Sequence, residues 1–320
     1  MNFRKFVAGI LSRVLGSGPT KLHGDEYAFI LKARGNPYWQ TMAEGIRDTA
    51  KARGIKAVIY LGEQDSDAEG FIAHCMTAIQ RKPKVMVMAA VNPDVAVQCL
   101  KQATAAGIIV ADIDGNISVE DAQKAGIKLA FSVGSDNFLI GQEAAEFAAN
   151  LLKNSKSKVF VLEGAAENMP NQQRIDGFRA KLRELVPNAD VVASISAEWD
   201  QLKAKNTTAD ILQKNPDIEV IYAVNDTMAL GAAEAVRNSG KSEKVKIIGV
   251  DATAEARKAI LEGHMTASVA QLSYLMGLRA TELAIEAAQK PPAGLTEVIQ
   301  TPLMTKESIA SEKDPLNPRQ

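Results

Sequence analysis

The chain has 320 residues, 46% of them hydrophobic, and its 37 Lys and Arg nearly balance 38 Asp and Glu, for a formal charge of −1. That length exceeds the size at which one core keeps growing, so two domains are expected. The charge balance excludes a basic nucleic-acid surface and an acidic tail.

In chain order, the first element is "MNFRKFVAGILSRVLGSG", with a basic start and an apolar stretch from Phe6 to Leu15. It is similar to a secretory signal, although Arg13 interrupts it and no A-x-A site follows, and a leader over residues 1–24 with export is expected. No other apolar run reaches the ~20 residues needed to span a membrane. From Tyr27 onward, "YAFIL", "KAVIYL", "VMVMAAV", "GIIVADI", "VFVLEG", "DVVASI", "VIYAVN" and "VKIIGVD" read as buried strands. Segments with helical spacing and a Gly stop, such as "QTMAEGIRDTAKARG", separate them. This alternation predicts an α/β fold with parallel sheets covered on both faces.

The two halves also match each other. Gly45 aligns with Gly177, Asn92 with Asn225 and Asp114 with Asp251, at a nearly constant separation. Two similar doubly wound parallel-sheet domains are therefore predicted.

Ligands of open parallel sheets bind outside the carboxyl ends of the strands. The residues there are Lys32, Asn36, Tyr38 and Trp39, then Asn92, Asp112 and Asp114. The second half supplies Arg174, Trp199 and Asp200 in "AEWD", Asn225 and Asp226 in "AVND", and Asp251. Acceptor-only Asp114 and Asp251 face donor-only Lys32 and Arg174, with the amides doing both. Both tryptophans of the chain fall in this set. Hydroxyl-reading groups around an edge and aromatic faces above it describe a neutral sugar, which would cover Tyr38 and Trp39 in what reads as a loop. Asp226, following a strand, reads as a helix cap.

Other chemistries are not supported. His23, His74 and His264 lack metal-ligand spacing, and Cys75 and Cys99 sit in apolar helical patterns as buried thiols. "DSDAEG" at 65–70 mimics the start of a calcium loop, but Met76 occupies the position of the bidentate Glu, so a solvated loop with a helix cap is expected. No dinucleotide or P-loop glycine pattern, G-x-S-x-G elbow or nucleophile–base pair is present, so no cofactor, metal or catalysis is expected.

From Tyr27 to the end the chain resembles the ribose-type periplasmic sugar-binding proteins of ABC importers. The resemblance rests on "NPYW", "DID", "SVGSDN", "RIDGF", "AEWD", "AVNDTMALG", "GVDA" and "ASVAQL". It is strongest to the D-allose-binding members, which share the Lys after the first strand and both tryptophan positions. The resemblance implies a ligand site of Lys32, Asn36, Tyr38, Trp39, Asp114, Ser135, Arg174, Trp199, Asn225, Asp251 and Gln271. It also implies a type I fold with a three-strand hinge, crossing near 131–135, 266–272 and 296–301. The N-terminal domain is then 25–132 plus 272–295, the C-terminal domain 133–271 plus 296–310, and 311–320 a tail. Gly115 stands where ribose binders carry Arg, and "AAENMPNQQ" brings in Met169 and Pro170, so allose, ribose, another hexose or pentose, or a polyol are all expected ligands. The implied partner is a membrane permease, with the receptor a monomer and no nucleic acid bound. The rival is the effector domain of a sugar-responsive repressor, but such proteins carry a helix-turn-helix module of roughly 60 residues ahead of the first strand. The 26 residues before Tyr27 lack that pattern.

Overall fold

Strands buried on both faces have no polar side, which is why the apolar runs of this sequence are continuous rather than alternating. The computed structural model describes residues 26–152, 156–290 and 294–311; the expected leader, 1–24, and the tail beyond 311 lie outside them. The first half runs β1 (Glu26–Ala33), α1 (Pro37–Arg53), β2 (Lys56–Gly62), α2 (Ala68–Gln80), β3 (Val85–Met88), α3 (Pro93–Ala105), β4 (Ile109–Ile113), α4 (Val119–Lys124) and β5 (Leu129–Ser135). After α5 (Asn137–Leu151), the second half runs β6 (Lys158–Glu163), α6 (Met169–Leu185), β7 (Asp190–Ser196), α7 (Gln201–Lys214), β8 (Ile218–Ala223), α8 (Asp226–Asn238), β9 (Lys246–Asp251), α9 (Ala254–Leu261) and β10 (Ala267–Ala270). Then come α10 (Ser273–Gln289), β11 (Leu295–Ile299), β12 (Leu303–Thr305) and α11 (Lys306–Ser311).

The strands form two six-stranded sheets, ordered β11-β5-β4-β3-β1-β2 and β12-β10-β9-β8-β6-β7. Both follow the same doubly wound plan, with the order reversing beside β1 in one and β6 in the other. Every pairing is parallel except that of the short edge strand β12 with β10, a departure from the all-parallel expectation.

The internal repeat has a packing cause. A Cβ on Gly45 of α1 would lie 2.1 Å from the Tyr274 carbonyl oxygen of α10, and one on Gly177 of α6 would lie 2.0 Å from that of Phe138 on α5. The partner helices answer with Gly277, against Met42 O at 2.2 Å, and Gly141, against Arg174 O at 2.1 Å. Each domain thus holds one helix crossing where two glycines let backbones touch. It also follows that α10 packs with the first sheet and α5 with the second.

The pairing moves two expected boundaries. β5 stays in the first sheet through Ser135, and β11 pairs alongside it from Leu295↔Phe131 to Ile299↔Ser135. Residues 133–135 and 296–299 therefore belong with the first sheet. The resemblance places chain crossings at 131–135 and 296–301, and the ladder between β5 and β11 runs through both stretches. Cys75 and Cys99 are free and buried, as expected.

Candidate functional site

The carboxyl ends of the two sheets face each other across a cleft. Tyr38 and Trp39 are not in a loop: Asn36 caps α1, its Oδ1 accepting from Tyr38 N at 3.0 Å, and Pro37 opens the helix. Both aromatics are fixed in the first helical turn, edge to face with ring centroids 4.7 Å apart. They are buried, 5% and 3% exposed. The Tyr38 hydroxyl donates to Asp114 Oδ1 at 2.6 Å. Burial, and then the Asp114 charge, push the phenol well above its usual range, so it stays a donor.

Lys32, at the end of β1, reaches Asn116 Oδ1 at 3.2 Å and Asp114 Oδ2 at 3.6 Å, with its ammonium 5.0 Å from the Trp39 ring centroid. Across the cleft, Arg174 of α6 donates from Nε to Asn137 Oδ1 at 2.8 Å and from Nη1 to Val224 O at 2.6 Å. Asn225 caps α8 by accepting from Met228 N at 2.9 Å, which leaves its NH₂ to point onward. Gln271, after β10, donates to Asp251 Oδ1 at 2.7 Å, while its own Oε1 is buried with no hydrogen-bond partner among the described residues. Asp251 is pushed up to about 7 by burial, against the pull of Arg174 and Gln271, and the charges of Asp114 and Asp65 add to the rise.

These groups line one small cavity between the two sheets. The structure brings together Lys32, Asn36, Tyr38, Trp39, Asp114, Arg174, Trp199, Asn225, Asp251 and Gln271. Ser135 is not among them. It ends β5, and its Oγ is buried with no hydrogen-bond partner among the described residues. Asn92 caps α3 instead of lining the cavity.

Asp65, Asn168 and Pro170 complete the lining. Pro170 belongs to the segment "AAENMPNQQ", whose departure from ribose binders points to a reshaped pocket, whereas Asp65 departs from the expectation of a solvated loop at 65–70. The helix cap expected there is present, with Asp67 Oδ1 accepting from Gly70 N at 2.8 Å at the start of α2. Asp65 turns inward. It lies just after β2, so the rule of looking beyond each strand end would have found it. Asn168 caps α6 through Asn171 N and also crosses the cleft, donating to Val91 O at 3.2 Å and Asn116 Oδ1 at 3.1 Å.

Both ligand-type carboxylates sit in left-handed backbone, φ 79° at Asp114 and 113° at Asp251, which a side chain adopts only under constraint. A buried carboxylate supplies the constraint in each domain. Asp112 accepts from Ser132 Oγ at 2.8 Å, Gly115 N at 3.0 Å and Asn116 N at 3.3 Å. Asp226 accepts from Ser268 Oγ at 2.7 Å and Thr253 N at 2.8 Å. The two acids come from different places in the repeat. Gly249 stands two residues before Asp251, as Asp112 stands before Asp114, and a Cβ there would lie 2.2 Å from Asp226 Oδ1. One domain holds the acid on the strand; the other leaves a glycine there and sends Asp226 in from α8. Neither Asp112 nor Asp226 faces the cavity, which corrects the rim position expected for Asp112 and the cap expected for Asp226. Asn225 already caps that helix.

Burial, reinforced by the Asp114 charge, raises Asp112 to about 7 against its three donors. The folded chain then keeps a proton that the unfolded chain releases near pH ~4. Stability from this source is full below that pH, falls as pH rises toward 7, and is level above. Asp112→Asn should flatten the decline in unfolding free energy, measured by urea titration, between about pH 5 and about pH 7.5, by up to ~1.4 kcal/mol per pH unit. An equally steep decline in the variant would assign the slope to other groups.

Two doubly wound domains that close polar strand-end groups around one small cavity define a solute receptor. A family model described as periplasmic binding protein domain matches residues 27–292, and the chain belongs to that family. It is 33% identical over 262 residues to the D-allose-binding periplasmic protein of Escherichia coli (strain K12), covering 82% of this chain and 84% of the relative. The ribose import binding protein of Bacillus subtilis (strain 168) is 32% identical over 249 residues, 78% and 77% of the two chains. Among solved structures, an ABC transporter periplasmic solute binding protein from Actinobacillus succinogenes 130z with bound D-allose superposes with TM-score 0.84 at 29% identity, covering 90% of this chain and all of that one. The fold is that of type I periplasmic binding proteins.

Proposed function

We propose that the protein is an exported, monomeric receptor that captures a neutral monosaccharide or polyol between its domains and delivers it to the permease of an ABC importer. The observation that supports this best is the division of the cavity: Lys32, Asn36, Tyr38, Trp39 and Asp114 come from one sheet, and Arg174, Trp199, Asn225, Asp251 and Gln271 from the other. A small ligand touches both sets only when the cleft is closed, so binding shifts the population toward the closed form. A closed shape is a signal a permease can read. The D-allose and ribose binding named for the relatives above supports a hexose or pentose. The segment read as a leader and the periplasmic naming of relatives support export.

A thermal-shift panel of aldohexoses, pentoses and polyols is expected to give one strong responder. Small-angle scattering should then show a smaller radius of gyration with that responder bound, and chromatography should recover it chemically unchanged. No compaction, or a converted product with turnover, would overturn the receptor reading. Fractionation of cells should place the mature chain outside the cytoplasm.

A further inference from the structure

The cavity meets the outside through a second hollow in the same cleft, and the two share Asn36, Asp65 and Trp199. Asp65 stands at that boundary and is fixed from two sides. The Trp39 indole Nε1 donates to its Oδ1 at 2.5 Å and the Asn36 amide donates to its Oδ2 at 3.2 Å. Each oxygen of an ionised carboxylate has a further lone pair, so neither is exhausted. Burial raises the carboxyl, while Lys32, Trp39 and Asn36 hold it down. With Asp65 counted, the lining holds three carboxylates against the two cations Lys32 and Arg174. Outside it, the mouth adds Glu63, Glu198 and Asp200, of which Glu63 is paired by Arg34 and Glu198 by Lys203.

We propose that Asp65 is a further ligand-binding and specificity residue: it accepts a hydrogen bond from the sugar hydroxyl that faces the mouth, and its charge rejects sugars carrying a phosphate or carboxylate at that position. The proposal rests on the receptor reading above. Its chemistry is that of a preoriented acceptor. Trp39 and Asn36 hold the carboxylate in place before the sugar arrives, so little ordering remains for the ligand to impose. A hydroxyl at the mouth finds an ionic acceptor there, whereas an anion meets a like charge in a desolvated site.

The test is calorimetric titration of wild type, Asp65→Asn and Asp65→Ala with D-allose and D-ribose, followed by each monodeoxy form of the better ligand and its uronic acid. Melting curves establish that the variants are folded. In wild type, one particular deoxy sugar should bind about 10- to 150-fold more weakly than the parent because a charge-assisted bond is lost. In both variants that one penalty should shrink to a few-fold or less, the penalties at the other hydroxyls should persist, and the uronic acid should gain on the parent sugar. If every deoxy penalty is unchanged in the variants, Asp65 does not touch the ligand. If all sugars weaken by one common factor, Asp65 acts only by positioning Trp39, and the proposal is overturned. Failure of wild type to bind either sugar or any panel member would instead overturn the receptor reading, and this proposal with it.

Discussion

Arg174→Ala should reduce affinity for the best monosaccharide on the order of 10²- to 10³-fold, because it strips a buried acid of its opposing charge. Arg174 is 4% exposed and two of its three nitrogens are committed, Nε to Asn137 and Nη1 to Val224 O, which leaves Nη2 to face a ligand. Its charge also opposes the rise of the Asp251 carboxyl, which burial takes to about 7. Without the guanidinium Asp251 moves further toward its neutral form, so one substitution removes a donor and weakens an acceptor. Arg174→Lys keeps the charge but not the planar fork, and should fall between wild type and alanine. Asp251→Ala should cost less, about 10- to 150-fold, since only one charged acceptor is lost. Calorimetry on the three variants, with melting curves to establish folding, orders these effects. Arg174→Ala binding as tightly as wild type would remove it from the site.

What the sequence reveals here is set by which physical constraint each residue obeys. Strands buried on both faces must be apolar throughout, so β1, β3, β4, β6, β8 and β9 stood out as runs, while β2 and β7, half-buried at the sheet edges, were legible from their Val and Ile content. β11 does not: four of its five residues are half-buried or exposed, and it borders the sheet. β12 is three residues long and carries no pattern. The repeat was legible at Gly45 and Gly177 because a backbone-to-backbone helix crossing admits no side chain. Most cavity residues were legible for a topological reason, since strand ends at an order reversal converge whatever their identity. Asp226 misled because a carboxylate beside a helix start has two uses, and the neighbouring Asn225 had already taken the cap. Asn168 was hidden in the same way. One side chain both caps α6 and spans the cleft, and only the capping half is a local property. Ser135 shows the converse, where a motif resemblance identified the hinge strand but not the direction of the side chain.

Gly164→Ala should weaken binding nearly as much as removing Trp199 itself, although Gly164 is not among the residues lining the cavity. Trp199 lies on the short turn after β7, in left-handed backbone at φ 65° and preceded by Glu198 at 54°. That turn lays the indole flat over the backbone of Gly164, where a Cβ would come within 2.2 Å, 2.3 Å and 2.5 Å of three ring atoms. A small tilt of the ring does not clear such distances, because the added methyl occupies the volume of the indole itself. It must leave the cavity wall, and the sugar then loses the flat apolar face on which its C–H bonds would rest. Trp199→Ala should cost roughly 30-fold or more, the scale of a tryptophan hot spot at ~2 kcal/mol. Trp199→Phe keeps a ring and most of the contact, so it should retain most of the affinity. Gly164→Ala combined with Trp199→Ala should be hardly weaker than Trp199→Ala alone, since the methyl harms binding only through the ring it displaces. Additive losses in that pair, or unchanged tryptophan fluorescence on ligand addition to wild type, would show that Trp199 does not form the wall of the site.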